Sequence, residues 1–303
     1  MVLRQSPGLS ALVYSYVVLF SNKRTVESLA IRNALLLIEK TITKSLRLIL
    51  QSKSHEDRIS PTFFRSLANR LNQSYPGKVA FVLGHELSST FSNRDKSTRV
   101  LIVGDSDHDV SESEYLAMKS NSNVVHFVQN LNFPESNNVF LLPIGIEDPK
   151  WAKSGMAWNL RPGPAHDHKI QQLLVGPFRD TDPSRRKLLE LETNTYTYVA
   201  KKPMATFHYA RFAAQFKFIA CPRGNGMDTH RFWEALTRHS LPIVKDSAWA
   251  RTLEKYVPLI ILPDWDEESV RSIFGFQSKN WDFSKIDFLD PMWWRERIEK
   301  SIT

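Results

Sequence analysis

Arg223-Gly224-Asn225-Gly226, followed by Asp228, Arg231 and Glu234, is the run of this 303-residue chain with the clearest chemical promise. An arginine and two glycines ahead of a helix offer free backbone N–H groups and the positive end of the helix dipole, which suits an anion. Asp228 stands where an N-cap belongs, and Arg231 falls in the first helical turn, within reach of a diphosphate at that end. Glu234, three residues on, shares that helix face and has the acceptor oxygens a ribose diol needs. An exposed Arg231–Glu234 ion pair is the plainer reading, but it explains neither the glycines nor the second arginine.

Two further groups have similar potential. Arg179, Arg185 and Arg186 follow a second strand-to-helix junction, and Lys245 closes a short apolar run. The acidic segment Asp105-Ser106-Asp107-His108-Asp109 follows Gly104, just past an apolar strand over Arg99–Val103. In open α/β sheets, ligands gather beyond the carboxyl ends of the strands, so such a loop is well placed for chemistry.

The elements that must position these residues follow from pattern. Phe218–Cys221 is short, apolar and closed by Pro222; Thr229–His239 is helical; Leu241–Val244 is apolar again. Strand, helix and strand in so short a span make a βαβ unit, which belongs to a parallel sheet covered by helices. Further strands are expected at Lys78–Leu83, Arg99–Val103, Val124–Val128, Val139–Leu142, Gln172–Val175 and Leu259–Leu262. Helices are expected at Pro61–Asn72, Pro183–Leu191, Tyr209–Gln215 and Pro291–Ile302. Arg161-Pro162-Gly163-Pro164 is the best linker, dividing an α/β domain over 1–160 from a second over 168–290, with 291–303 as a closing helix.

Composition is that of an ordinary globular chain, 42% hydrophobic and 24% charged, which argues against disorder. Cys221 is the one cysteine, so no intrachain disulfide exists and a reducing compartment is expected. Ala11–Phe20 is too short an apolar stretch to span a bilayer. A cytoplasmic location is the expectation. The net charge of +8 is uneven: the first 54 residues hold eight Lys/Arg against two Glu. Residues 1–55 are expected to be a basic helical segment, with an apolar stripe from Ile31 to Ile49 inside Thr25–Leu50. Such a helix docks on its own protein or lies peripherally on a membrane, and docking is the commoner outcome.

The run CPRGNGMDTHRFWEAL followed by PIV closely resembles the signature of exostosin-like glycosyltransferases (glycosyltransferase family 47). The likeness extends through LIVGDSDHD, FVQNL, LLPIGIEDPKW and VGPFRDTDPSRR to LIILPDW, covering roughly Val100 to Trp265. It implies a GT-B-like α/β fold: two Rossmann-like domains whose parallel sheets face each other across a cleft. It also implies inverting, metal-independent transfer of a sugar from a nucleoside diphosphate donor. The donor is held mainly by the second domain, and the acceptor, a glycan or a lipid-linked hydroxyl, mainly by the first. No cofactor beyond the donor substrate and no nucleic-acid partner is implied. Donor contacts would fall to Arg223, Gly224, Asn225, Gly226, Asp228, Arg231, Glu234 and Lys245, with Arg179 and one of Arg185/Arg186 on the pyrophosphate.

Inverting transfer needs a base to take the acceptor's proton. Asp107 is the leading candidate, with His108 and Asp105 behind it and Glu147 as an alternative. Asp105-Ser106-Asp107 and Asp264-Trp265-Asp266 imitate a metal-binding Asp-x-Asp, but an arginine-rich diphosphate site already supplies positive charge, so no metal is expected. Two rivals remain: a metal-dependent transferase using one of those pairs, and a catalytically silent Rossmann-like protein binding polyanions through its basic first segment.

Overall fold

A computed structural model describes residues 33–38, 41, 58–93, 95–276, 281–284 and 286–303. Most of the expected basic amphipathic helix lies outside the described residues; positions 33–38 are helical, with Leu35 buried.

The chain forms helix α1 over Pro61–Ser74, where Ser60 caps the start by accepting from the Phe63 N–H and Pro61 opens the first turn. Its apolar stripe buries Phe63, Phe64, Leu67 and Leu71 against the sheet. Strand β1 (Val79–Leu83), helix α2 (Leu87–Asn93), strand β2 (Val100–Gly104), helix α3 (Glu112–Ser120) and strands β3 (Val125–Val128) and β4 (Val139–Leu141) complete the first half. All four strands are parallel, in the order β1-β2-β3-β4. Strand β2 is buried at every position, which is why it reads as an unbroken apolar run.

The second half contains β5 (Ile170–Val175), α4 (Pro183–Glu190), β6 (Thr197–Val199), α5 (Thr206–Ala213), β7 (Phe216–Ala220), α6 (His230–Thr237), β8 (Leu241–Lys245), α7 (Ala248–Leu253), β9 (Ile260–Leu262) and α8 (Glu267–Ser272). Its five strands are again all parallel, in the order β6-β5-β7-β8-β9. The protein is therefore α/β with two parallel sheets. The order of the second sheet reverses at β5, which makes the gap between the carboxyl ends of β5 and β7 a topological switch point.

The closing helix α9 (Pro291–Lys300) packs on the first half. Trp294 meets Phe64 and Phe127 edge-on, and the Tyr75 hydroxyl donates to Glu299 across 3.1 Å. Four helices and one strand were not expected from pattern: α2, α3, α7, α8 and β6. Each is short. Helix α3 is announced only by its capping box, in which Ser111 and Glu114 satisfy each other's backbone N–H. No helix among the described residues is long and apolar enough to cross a membrane.

Trp294 is fully buried and joins the end of the chain to the first sheet's core. Trp294→Ala is expected to destabilise the protein by about 3–5 kcal/mol, read as a lowered denaturant midpoint.

Candidate functional site

Helix α6 and the loop ahead of it are held from outside. The helix starts at His230 with Thr229 as N-cap, so Asp228 does not cap it as expected. Asp228 is instead buried, with one carboxylate oxygen accepting the Ile144 N–H and the other the Trp233 Nε1–H, both at 2.8 Å. Its own N–H donates to Asn130 Oδ1 at 2.8 Å. Burial pushes this carboxyl up to about 7. His230 is anchored too: Nδ1 lies 2.8 Å from the Gly145 carbonyl.

The loop itself is fastened to the acidic segment after β2. Arg223 pairs with Asp109 at 2.6 Å and with Asp182 at 3.2 Å, and Asn225 Nδ2 donates to Asp107 at 3.0 Å. The Met227 N–H donates to the other Asp109 oxygen at 3.0 Å. Arg223 thus joins the two halves, and its charge is matched by carboxylates.

Between the carboxyl ends of the two sheets lies a cleft of about 460 Å³, lined from both halves. It reaches the β5/β7 switch point. One wall is basic. Arg231 donates to the carbonyls of Gly176 (3.2 Å) and Pro177 (2.7 Å) and to the Tyr209 hydroxyl (2.6 Å). Its guanidinium also lies over the rings of Phe178 and Tyr209, 4.7 and 4.8 Å from their centroids. Arg185 donates to the Arg223 and Arg179 carbonyls. Burial and the neighbouring Arg231 charge push the Arg185 guanidinium below its ordinary value. Arg179 is exposed at the rim. Among the described residues, no carboxylate comes within ion-pair distance of Arg179, Arg185 or Arg231.

The cleft also holds carboxylates. Glu234 has a side chain only 5% exposed and pairs with Arg238 at 3.4 Å, one turn along, rather than with Arg231. That bond takes one carboxylate oxygen; the other has no partner among the described residues. Glu147 accepts from the Ser154 N–H at 2.9 Å, and burial, then the nearby Glu234 carboxylate, raises its carboxyl above the ordinary glutamate range. Asp107 and His230 also line the cleft.

The cleft therefore brings together Arg179, Arg185, Gly224, Asn225, Gly226, Asp228, Arg231 and Glu234 with Asp107 and Glu147. Five expected residues are not brought to it. Arg223 is taken by Asp109 and Asp182; Arg186 is exposed beside Asp180; Lys245 pairs with Asp264 at 3.0 Å. Asp105 pairs with Arg65, and His108 Nε2 contacts Glu114 at 2.9 Å. The glycines are closely approached by side chains. A Cβ on Gly224 would sit 2.8 Å from Arg185 Nη2, and one on Gly226 2.8 Å from the Asn130 amide.

Reasoning from sequence passed over Phe178, Tyr209 and His230. Phe178 stands beside Arg179 directly after Gly176-Pro177, and His230 directly after the Asp228-Thr229 pair, so both signals were present. Of the second acidic pair, Asp264 is held well below its usual range by Lys187, the Trp265 N–H and Lys245, and Asp266 caps α8. No group of three or more His, Cys, Asp or Glu side chains suited to a metal occurs among the described residues. Cys221, at the switch point, is buried and its thiol is pushed up to about 12. No family model matches the sequence, and no curated protein matches it.

Both Asp228 oxygens accept from N–H donors, so Asp228→Asn sets an amide N–H₂ against one of them. The variant is expected to lose about 1–3 kcal/mol of stability in denaturant titration.

Proposed function

We propose that this protein transfers a sugar from a nucleoside diphosphate sugar to a hydroxyl of a glycan or lipid-linked acceptor, with its two α/β halves arranged as in GT-B transferases. The observation that carries the reading is the basic wall: Arg185 and Arg231 are crowded together, partly buried and without a carboxylate within ion-pair distance among the described residues. Like charges held close in a cleft are relieved by an anion. A diphosphate, with its several oxygens and two or more negative charges, suits two guanidinia and a third at the rim.

The rest of the cleft suits the rest of such a donor. The N-terminus of α6 faces the same space and adds backbone N–H groups and the dipole's positive end. The unpartnered Glu234 oxygen is an acceptor for a ribose hydroxyl. The Phe178 and Tyr209 rings hold the Arg231 guanidinium flat, so its charge is preorganised for the leaving diphosphate instead of reorienting during the reaction. The carboxylates accept hydrogen bonds from sugar and acceptor hydroxyls. In this reading the phosphates meet the arginines and the sugar lies toward Glu147.

Arg231 also braces the Gly176 and Pro177 carbonyls, so its loss confounds binding with folding. Arg179 gives the cleaner test, because its side chain makes no contact of that kind among the described residues. In a thermal-shift screen of UDP, GDP, ADP, CDP and their sugar conjugates, at least one is expected to stabilise the wild type. Arg179→Ala should melt like wild type without nucleotide yet bind that nucleotide about tenfold or more weakly, the worth of a charge-assisted hydrogen bond. Failure of every nucleoside diphosphate to stabilise the wild type would sink the proposal.

A further inference from the structure

Resting on the sugar-transfer reading, we infer that the acceptor's proton is taken by His230, through Nε2, and not by the acidic segment after β2. The Gly145 oxygen is a carbonyl and only accepts, so the contact at 2.8 Å requires the proton on Nδ1. In the neutral ring the lone pair then sits on Nε2. His230 is the first residue of α6, so its ring is placed by the start of that helix. The ring lines the cleft, and no hydrogen bond to Nε2 is made among the described residues.

Two neighbours complete the arrangement. The Glu147 carboxylate is near enough for His230 to favour its charged form, so its negative charge in turn stabilises the imidazolium that forms on proton transfer. Gly145, two residues before Glu147, has a φ of +69°, and a Cβ there would meet the Ile59 carbonyl at 2.3 Å. That turn fixes where the carbonyl points and hence which nitrogen is free. Arg231, next in sequence to His230, stands on the basic wall, so base and leaving-group partner are fixed by one helical turn.

The step balances as a single displacement. The acceptor O–H proton passes to Nε2 as the acceptor oxygen bonds to the anomeric carbon. The bond from that carbon to the phosphate oxygen breaks, and its electron pair leaves with the nucleoside diphosphate, toward Arg185 and Arg231. Water replaces the acceptor in the same step when none is present, which makes nucleoside diphosphate release measurable without knowing the acceptor.

The test uses His230→Asn, because asparagine Nδ2 stands about where histidine Nδ1 does and still donates to Gly145, while nothing replaces Nε2. Two quantities are measured on the full chain: affinity for the nucleoside diphosphate found by thermal shift, and the rate of its release from the matching nucleotide sugar. Unchanged melting and affinity with a release rate about 10²–10⁴-fold lower is the expected result. Release at the wild-type rate overturns the assignment and leaves the sugar-transfer reading standing. Affinity lost to the same degree as the rate also overturns it, by making His230 a donor-binding residue. A wild type that binds the nucleotide but cleaves no nucleotide sugar sinks both readings together.

Discussion

The buried carboxylate of Asp228 is the constraint on which the geometry of the cleft depends. It lies between the two sheets, takes one N–H from the first half and one from α6, and its backbone N–H is taken by Asn130. A carboxylate so buried is costly unless both oxygens are satisfied, and here each has a donor at 2.8 Å. The partners are rigid: Ile144 is buried three residues past the end of β4, and Trp233 is fully buried in the core. The start of α6 is therefore fixed relative to the ends of β3 and β4, and the two sets of strand ends face each other across a set distance. The crevice at the switch point of the second sheet becomes a two-walled cleft for that reason.

The same fastening decides which charges are available. Arg223, first in the glycine-containing turn, pairs with Asp109 and Asp182 and so ties the halves together. Its carbonyl accepts from Arg185 Nε at 2.8 Å, which turns the Arg185 guanidinium toward the place a Gly224 side chain would fill. One arginine neutralised by carboxylates thus aims another that is not. A positive wall survives inside partly buried protein because its cations are held by carbonyl oxygens and ring faces, which satisfy their N–H groups without cancelling their charge.

Strand positions were legible in the sequence because buried parallel strands are short unbroken apolar runs: β2, β7 and β8 were found within two residues at either end. Short helices on the surface were not, since α8 carries no apolar stripe longer than one turn and β6 is a three-residue edge. Site residues divide along a similar line. That Arg231 and Glu234 line one cleft could be read from the sequence because their relation is local, set by helix periodicity alone. Arg223, Asp105 and His108 stand outside the cleft because their partners, Asp109 and Asp182, Arg65, and Glu114, are chosen by packing between segments. Residue type and spacing cannot reveal whether a charge already has a counter-ion. The glycines show a subtler point: a turn or close approach to a ligand was expected, and the neighbours that come closest to them are a side chain from α4 and another following β3.

The acidic segment after β2 illustrates what a hydrogen-bond inventory adds to a motif. Every titratable side chain in it has a protein partner: Asp105 with Arg65, Asp107 with Asn225, His108 with Glu114, and Asp109 with Arg223 and the Met227 N–H. Glu114 in turn is held at about 2 by backbone and side-chain donors that outweigh its burial, so it stays ionised and keeps His108 engaged. A segment committed to this extent is a clasp between the halves. Groups with a free valence sit elsewhere in the cleft: Glu147 in the loop after β4, raised by burial, and on α6 His230, with its proton on Nδ1, and the open oxygen of Glu234. On the proposed reading, proton removal falls to such groups, because it requires a lone pair that the fold has not already used.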